Sequence, residues 1–325
     1  MSRFKVLLTD YAWADLDIER AILAEIDAEL LVAASPDVAS LAEAATDADA
    51  IMTNWAKVPK AVIERASNCR IVARLGIGLD NIDVAYATSR RIIVTNVPDY
   101  CLTEVAEHTI ALLLSLGRKV AFYHLETKSG RYDLAAGPPL RRIEGQTLGI
   151  VGLGNIGRLV AQKAQALGLN VLATTRSRKE PPTGVQWADL EDLLVASDYV
   201  SLHLPLAADT KHIIGAHELA LMKPSAYLIN TARGGLIDRA ALADALERVH
   251  LAGAALDVQD EEPPDLSEKP YSDHRVIVTP HSAFVSEQSL IDLRNRAARQ
   301  VATCLAGGRP QHVVNPDVLE QARGR

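Results

Sequence analysis

Apolar residues follow two patterns along this chain: short continuous runs, and longer stretches with helical spacing. Short apolar runs bounded by turn residues are typical of strands buried on both faces of a sheet. Apolar positions three and four residues apart are typical of helices packed on such a sheet. Up to residue 95 the patterns alternate strictly, which predicts a parallel sheet covered on both faces. The predicted strands cover residues 6–9, 30–33, 50–53, 71–75 and 92–95, and the predicted helices cover residues 18–26, 38–45, 59–66 and 84–89.

The alternation stops at Asn96-Val97-Pro98 and resumes after residue 142. A long helix is predicted over residues 102–128, followed by a polar segment containing Gly and Pro. The second series predicts strands at 147–151, 170–174, 199–204, 226–230, 252–258 and 276–278, a helix ending at Gly168, and helices at 190–196 and 240–248. The last predicted helix, 288–305, has no strand partner in this series, so we expect it to pack on the first domain. The expected fold class is α/β, with two doubly wound parallel-sheet domains and a cleft between them: residues 1–98 with 288–325, and residues 99–287.

Composition narrows the classes of function. A length of 325 residues fits about two domains. The net charge of −7 and isoelectric point near 5.7 argue against a nucleic-acid partner or an acidic-membrane surface. No stretch approaches the roughly 20 apolar residues of a membrane span. Cys69, Cys101 and Cys304 lie far apart, with no disulfide framework or metal-binding spacing. This cysteine usage indicates a reducing compartment, and we expect a cytoplasmic protein with no metal site.

A Gly-rich turn opens the second series. Gly152, Gly154 and Gly157 form Gly-x-Gly-x-x-Gly between an apolar run and an amphipathic helix. In a dinucleotide site the first glycine makes the tight turn, the second lets the backbone approach a pyrophosphate, and the third lets helix and strand pack closely. The helix start then favours phosphate charge. The alternative is a turn that binds nothing, but the strand–turn–helix context and the strand that follows favour a dinucleotide site.

The residues after the second strand of this series indicate which dinucleotide binds. A carboxylate there suits NAD, and an Arg suits the 2′-phosphate of NADP. The sequence reads Thr175-Arg176-Ser177-Arg178-Lys179, and no acidic residue appears before Glu180. Guanidinium groups bind phosphate well because their donors form a rigid fork. We therefore expect NADP, with NAD as the other cofactor considered and a solvated basic loop as the alternative interpretation.

Three polar residues follow strands of the second series, at the sheet edge where such folds bind ligands. They are Arg233, Glu262 and His281. Each alone would be an ordinary surface residue. Together they suit redox chemistry on a keto acid: Arg holds a carboxylate, His supplies the proton, and a carboxylate orients the imidazole and favours its protonated form.

Seven ordered motifs together make the chain resemble the D-isomer-specific 2-hydroxyacid dehydrogenases over nearly its whole length. They are Leu75-Gly-Ile-Gly-Leu-Asp80-Asn81-Ile-Asp83, Val105-Ala-Glu-His-Thr109, Gly152-Leu-Gly-Asn-Ile-Gly157, His203-Leu-Pro205, Asn230-Thr-Ala-Arg-Gly-Gly235, Ala255-Leu-Asp257-Val258 and Thr279-Pro-His281. The resemblance implies a Rossmann dinucleotide-binding domain (99–287), a flavodoxin-like substrate or lid domain that closes over the substrate, and a homodimer through the nucleotide domain.

The resemblance also implies roles for individual residues. Arg233, His281 and Glu262 would be the catalytic residues, with Arg233 and His281 also contacting substrate. The other substrate contacts would come from Trp55, Gly76, Ile77 and Gly78. The cofactor would be bound by Gly152, Gly154, Asn155, Ile156, Gly157, Thr175, Arg176, Arg178, His203, Leu204, Pro205, Thr231, Ala232 and Asp257, with Asp257 near the nicotinamide amide.

Departures from the family pattern leave two classes of function open. Trp55 is bulky for a position facing the substrate, and residues 99–104 resemble the branch that contains the C-terminal-binding-protein corepressors. The first hypothesis is an NAD(P)H-dependent reductase of a 2-keto acid, of the glyoxylate, hydroxypyruvate or phosphoglycerate type. The second is a dimeric, dinucleotide-binding corepressor-like protein without significant turnover. The sequence shows no long polar tail or docking insertion, which favours the enzyme.

Overall fold

A computed structural model describes residues 3–176 and 180–321. Its strands are β1 Phe4–Leu8, β2 Ala28–Val32, β3 Ala50–Thr53, β4 Ile71–Arg74, β5 Ile93–Thr95, β6 Thr147–Val151, β7 Asn170–Thr174, β8 Val185–Trp187, β9 Tyr199–Leu202, β10 Tyr227–Asn230, β11 Gly253–Leu256 and β12 Val276–Val278. Its α-helices are α1 Asp17–Ala24, α2 Val38–Ala44, α3 Lys60–Arg65, α4 Val84–Ser89, α5 Leu102–Arg118, α6 Val120–Lys128, α7 Asn155–Ala166, α8 Leu190–Ala196, α9 Ala216–Leu221, α10 Arg239–Glu247, α11 Glu287–Leu305 and α12 Asp317–Gln321.

The chain divides into two compact units. Unit 1 consists of Met1–Tyr100 and Ser286–Arg325, and unit 2 of Cys101–Val285. The assignment of unit 1 to the substrate and unit 2 to the nucleotide stays a prediction at this point.

Unit 1 is built on a five-stranded parallel sheet in the order β2-β1-β3-β4-β5. Every residue of β3 and β4 is buried, because helices cover both faces of the sheet. One apolar cluster joins the sheet to α1 and α11, and a second joins it to α2, α3 and α4. The strand order reverses between β1 and β3, and the doubly wound prediction is confirmed for this unit.

A buried ion pair fastens α11 to α1. Arg294 donates to both carboxylate oxygens of Glu19, each at 2.9 Å, and to Asp15 Oδ1 at 2.8 Å. The Glu19 side chain is fully buried. The last long helix is therefore held in unit 1 by the buried Arg294–Glu19 ion pair.

Unit 2 is built on a seven-stranded parallel sheet in the order β12-β11-β10-β9-β6-β7-β8. Helices α5 and α7 cover one face, and α8, α9 and α10 cover the other. The strand order reverses between β6 and β9, and such a reversal opens a crevice at the carboxyl ends of the strands. The predicted Rossmann arrangement is confirmed.

Three features of unit 2 differ from the sequence prediction. Strand β8 and helix α9 were not predicted, because three and six residues are too few to show a period. The long helix predicted over 102–128 is two helices, since Lys119 between them has a left-handed φ of +55°. A Cβ on Gly117 would overlap the Tyr199 hydroxyl, and Lys119 Nζ lies 4.6 Å from the ring centroid of Tyr227. Helix α5 therefore ends where its last turn packs against β9 and β10.

Among the helices that the structure describes, none has the length and apolar character that crossing a membrane requires.

Candidate active site

The turn between β6 and α7 gives each glycine a separate role. Gly152 has a φ of +101°, and a Cβ there would lie 2.5 Å from the carbonyl oxygen of His203. A Cβ on Gly157 would overlap the carbonyl oxygen of Gly152, so the helix and the turn meet backbone to backbone. A Cβ on Gly154 would meet nothing within 4 Å. Two of the glycines are thus required by the packing of the chain, and the third borders open space.

The start of α7 faces that open space. Gly154 is the N-cap and has no side chain with which to accept the first helical N–H groups. Asn155 and Ile156 are the first helical residues. Free N–H groups and the positive end of the helix dipole suit a phosphate. These residues fit a dinucleotide pyrophosphate, and a side chain at Gly154 would fill the space it needs.

The loop after β9 lies beside this turn, where the strand order reverses. The His203 N–H donates to Val151 O at 2.8 Å, and the Leu204 side chain lies against Gly152. His203 Nε2 is 2.9 Å from Ser201 Oγ, and burial lowers the pKa of His203 to about 4. The ring is therefore neutral near pH 7. His203 and Leu204, both predicted to line the cofactor, lie together with Gly152, and the exposed Pro205 continues the same loop.

Thr175 and Arg176 follow β7. The Arg176 guanidinium is 78% exposed and lies 2.6 Å from Asp209 Oδ2. Arg178, the other cation predicted to bind the 2′-phosphate, lies outside the described residues. The roles of both arginines in cofactor binding stay predictions.

Asn230 shapes the loop after β10. Its side-chain oxygen accepts the Ala232 N–H at 3.0 Å, and its amide nitrogen donates to Arg233 O at 2.7 Å. Arg233 Nη1 donates to Ala232 O at 2.7 Å. A Cβ on Gly234 would overlap the backbone of Gln259, so this loop lies directly against the loop after β11. That contact brings the loops of Arg233 and Glu262 together.

His281 and Glu262 form a hydrogen-bonded pair. His281 Nδ1 lies 2.7 Å from Glu262 Oε2, and Glu262 Oε1 accepts the Gln259 N–H at 3.0 Å. The His281 ring packs edge-on against Phe284, with centroids 6.0 Å apart. A His held at Nδ1 by a carboxylate keeps Nε2 for proton transfer. The three residues named from the sequence therefore lie on adjoining loops, and two of them are in contact.

Asp257 lies inside this arrangement. Its side chain is fully buried, and its carboxylate accepts hydrogen bonds from Thr279 Oγ1 at 2.6 Å and from the N–H groups of Ser282 and Ala283, each at 2.9 Å. Burial alone would raise the pKa of Asp257, but hydrogen bonds from His108, Thr279 and the backbone lower it to about 2. A stable buried carboxylate thus fastens the segment that carries His281. Its contact with a nicotinamide amide stays a prediction.

In unit 1, Trp55 lies on a loop after β3 that is held by Asp10. One Asp10 oxygen accepts the N–H groups of Asn54 and Ala56 at 3.0 and 3.1 Å, and the other accepts that of Trp55 at 2.7 Å. The Trp55 side chain is 40% exposed. The loop is fixed while the indole stays accessible.

Gly76, Ile77 and Gly78 follow β4. Val97 N–H donates to Gly76 O at 3.0 Å, and Asn96 Nδ2 donates to Ile77 O at 2.8 Å, which fixes both peptide groups. A Cβ on Gly76 would lie 2.7 Å from Nη1 of Arg74, a buried guanidinium. The assignment of these residues and of Trp55 to substrate binding stays a prediction.

Sequence reasoning missed the supporting residues Asp10, Arg74 and His108. Asp10 carried a usable signal, because it follows the first strand at the sheet edge where ligand loops occur. His108 is part of a quoted motif but received no role. Its partners are distant in sequence, so no local pattern reveals its contacts.

Comparisons with known proteins agree with this geometry. A family profile described as "D-isomer specific 2-hydroxyacid dehydrogenase, NAD binding domain" matches residues 110–283. A glyoxylate reductase of Thermococcus litoralis is 37% identical over 295 residues, covering 88% of this chain and 89% of that protein. A D-3-phosphoglycerate dehydrogenase of Methanocaldococcus jannaschii is 36% identical and covers 99% of this chain, which spans 61% of that relative's length.

A solved structure shows the same likeness in three dimensions. It is an NADPH-dependent glyoxylate/hydroxypyruvate reductase of Sinorhizobium meliloti in complex with NADP and malonate. It has a TM-score of 0.86 and 29% identity, over 96% of this chain and 97% of the other. The dinucleotide turn, the three residues on adjoining loops and these likenesses lead to one conclusion: the chain belongs to the D-isomer-specific 2-hydroxyacid dehydrogenases, NAD(P)-dependent oxidoreductases that interconvert 2-keto acids and D-2-hydroxy acids.

Proposed function

We propose that this chain reduces a small 2-keto acid, of the glyoxylate or hydroxypyruvate type, with NADPH as the preferred cofactor. The observation that carries the proposal is the His281–Glu262 pair at 2.7 Å, on loops adjoining that of Arg233. The names of the relatives support the substrate type. The corepressor-like alternative is not favoured, because those relatives are reductases and dehydrogenases.

Each residue has a distinct task in the proposed reaction. A reduced nicotinamide, when bound, would supply the hydride for C2 of the keto acid. Arg233 binds the substrate carboxylate, for which a planar guanidinium is suited. Protonated His281 donates its Nε2 proton to the carbonyl oxygen, and Glu262 stabilises the imidazolium through Nδ1. The product is the 2-hydroxy acid, of D configuration where C2 becomes a stereocentre, and His281 regains a proton from solvent.

The proposed preference for NADPH depends on the segment after β7. Arg176 is exposed there, and the first acidic residue after that strand is Glu180. A guanidinium is attracted to a 2′-phosphate, whereas the ribose hydroxyls of NAD are bound by a carboxylate. Arg176→Ala should therefore raise the Kd of NADPH more than that of NADH.

The first test follows absorbance at the reduced-nicotinamide band, with glyoxylate, hydroxypyruvate, pyruvate, 2-ketobutyrate and 3-phosphohydroxypyruvate. NADPH and NADH are compared in parallel. Faster oxidation of NADPH with an unphosphorylated acid is the expected result. Faster oxidation of NADH would refute the cofactor preference alone. Preference for the phosphorylated acid would refute the substrate type, and no oxidation with any acid would refute the activity.

Two variants test the residue roles. His281→Ala should reduce turnover at least about 100-fold, since a positioned acid–base group contributes about that much. Arg233→Ala should reduce kcat/KM at least about tenfold, since it removes charge-assisted hydrogen bonds to the substrate carboxylate. Both variants should largely keep NADPH binding. Glu43→Ala, at an exposed position on α2 outside every proposed site, is the control. Wild-type turnover in both active-site variants would contradict the assignment.

We also propose a homodimer formed through residues 120–140 of unit 2. Helix α6 has no buried residue, and Leu125, Tyr132 and Leu134 are 67%, 94% and 93% exposed. Large exposed apolar side chains in one segment are typical of an interaction surface. Light scattering should give a dimer for the wild type and a monomer for Leu134→Asp. A monomeric wild type at micromolar concentration would refute this proposal.

A cytoplasmic location is proposed from the cysteines. Cys69, Cys101 and Cys304 are all buried and are not in disulfides, and burial raises the pKa of Cys69 to about 12 and that of Cys304 to about 11. This usage is typical of a reducing compartment. Cell fractionation tests it, and recovery of the protein outside the cytoplasmic fraction would contradict it.

A further inference from the structure

Helix α5 carries two adjacent polar residues whose side chains reach the loops of the active site. Thr109 Oγ1 is buried 2.9 Å from Thr231 Oγ1, in the loop of Arg233. His108 Nε2 lies 3.2 Å from Thr279 Oγ1 and 3.4 Å from Asp257 Oδ1, which belong to the loops of His281 and Glu262. One turn of one helix therefore contacts the segments that carry all three catalytic residues.

The direction of these hydrogen bonds follows from their chemistry. The ionised carboxylate of Asp257 can only accept. Thr279 Oγ1, 2.6 Å away, therefore donates its single proton to Asp257 and turns a lone pair toward His108. It follows that His108 Nε2 carries a proton and is the donor. The tautomer of His108 is thus set by its partners.

Asp257 connects His108 to His281 through further hydrogen bonds. The His281 N–H donates to Asp257 O at 2.8 Å, and the next two N–H groups, of Ser282 and Ala283, donate to the Asp257 carboxylate. His281 itself has a left-handed φ of +50°. A side-chain-bearing residue keeps such a conformation only where its surroundings hold it. The carboxylate that His108 contacts is part of those surroundings.

We propose that His108 is a positioning residue for hydride transfer: its Nε2–H, acting through Thr279 and Asp257, holds residues 279–283 so that the His281 ring stays against Glu262. The proposal rests on the proposed reduction for its kinetic test only. Its structural consequence is that the His281 ring shifts when the His108 donor is removed, and this shift is measurable without turnover.

The kinetic test uses a matched pair of variants. His108→Leu removes the donor, and His108→Gln keeps an amide N–H close to the position of Nε2. His108→Leu should lower kcat about tenfold and leave the Kd of NADPH unchanged within twofold. His108→Gln should keep at least half of the wild-type kcat. His217→Leu, at an exposed contact with Glu191 on the surface of unit 2, is the control and should have no effect.

The second readout is the ring resonances of His281, assigned with His281→Gln. The Phe284 ring lies edge-on to His281, so ring-current shifts report their relative position. His108→Leu should shift these resonances, and His108→Gln should leave them near their wild-type positions. Unchanged resonances and kcat in His108→Leu would overturn the proposal. A wild type without turnover would refute the proposed function and leave this readout intact.

Thr279→Val covers the case in which His108→Leu does not fold. It is nearly isosteric and removes the hydroxyl between His108 and Asp257. It should move the same His281 resonances, and an unchanged spectrum would overturn the proposal. Where His108→Leu and Thr279→Val both fold, the double variant should be no less active than the less active single variant. The reason is that both substitutions interrupt the same hydrogen-bond chain.

Discussion

Two alanine substitutions in the dinucleotide turn should affect different properties: Gly157→Ala should lower stability, and Gly154→Ala should weaken NADPH binding. Gly157→Ala places a Cβ on top of the Gly152 carbonyl oxygen, where ordinary contacts begin near 3.4 Å. Overpacking of this kind costs about 1–3 kcal/mol, and better helix propensity returns up to about 1 kcal/mol. The cost should be near the upper end of this range, because the Cβ meets backbone and not a movable side chain. The net loss is then about 2 kcal/mol, which corresponds to a Tm lower by roughly 4–8 °C in a unit of this size.

Gly154→Ala adds the same methyl group to open space. The φ of −78° and ψ of −160° suit alanine. The free energy of unfolding of the cofactor-free variant should therefore stay within about 1 kcal/mol of the wild-type value. The added Cβ would project into the space that a pyrophosphate needs. The Kd of NADPH should therefore rise at least about tenfold, which is about 1.4 kcal/mol.

The assay pairs thermal unfolding of the cofactor-free protein with fluorescence titration of NADPH. Gly145→Ala has open space at its Cβ but a φ of +82°, so it controls for backbone strain outside the site. It should lower Tm without changing the Kd. Wild-type NADPH affinity in Gly154→Ala would refute the reasoning, as would wild-type stability in Gly157→Ala.

Arg294→Met should destabilise unit 1 by about 3 kcal/mol in urea unfolding, because Glu19 would stay buried without its partner. Glu262→Gln should lower kcat by about 100-fold and leave the Kd of NADPH within twofold, because an amide does not stabilise the imidazolium. Asp257, with its pKa lowered from 3.8 to about 2, should contribute about 2 kcal/mol of stability that is present above pH 4 and lost as the pH falls toward 2. Unfolding curves at pH 7 and pH 3 should therefore differ less in Asp257→Asn than in the wild type.

Each of these has a clear contrary outcome. Arg299→Met, at an exposed ion pair of the same helix, is the control for Arg294, and equal effects of the two would contradict the buried-charge argument. Wild-type kcat in Glu262→Gln would remove that residue from the mechanism. An equally steep loss of stability toward acid pH in Asp257→Asn would show that other carboxylates carry it.

Most of the fold follows from local sequence. Strands β3, β6, β7 and β12 lie where the apolar runs predicted them, and α4 and α8 have the predicted bounds. Strands buried on both faces leave unbroken apolar runs, and helices packed on one side leave a period near 3.6 residues. Edge strand β8 is too short to leave such a signal.

The candidate site was predictable only where its residues follow strands. Arg233, Glu262 and His281 could be named because a parallel sheet brings the carboxyl ends of its strands to one edge. The partners that hold them could not be named in this way. His108 lies on α5, and no period or spacing links it to Thr279, which is 171 residues away.

The sequence by itself determined the alternation of strands and helices, the glycine turn and the identities of the polar residues at the strand ends. These depend on side-chain size, polarity and backbone freedom, which act over a few neighbouring residues. Only the tertiary structure decided that α5 ends at Lys119, that Asp257 is buried among donors from residues 279–283, and that His281 adopts its left-handed conformation. Each depends on groups distant in sequence that become neighbours only when helices pack on the sheet, where burial makes every unpaired polar group costly.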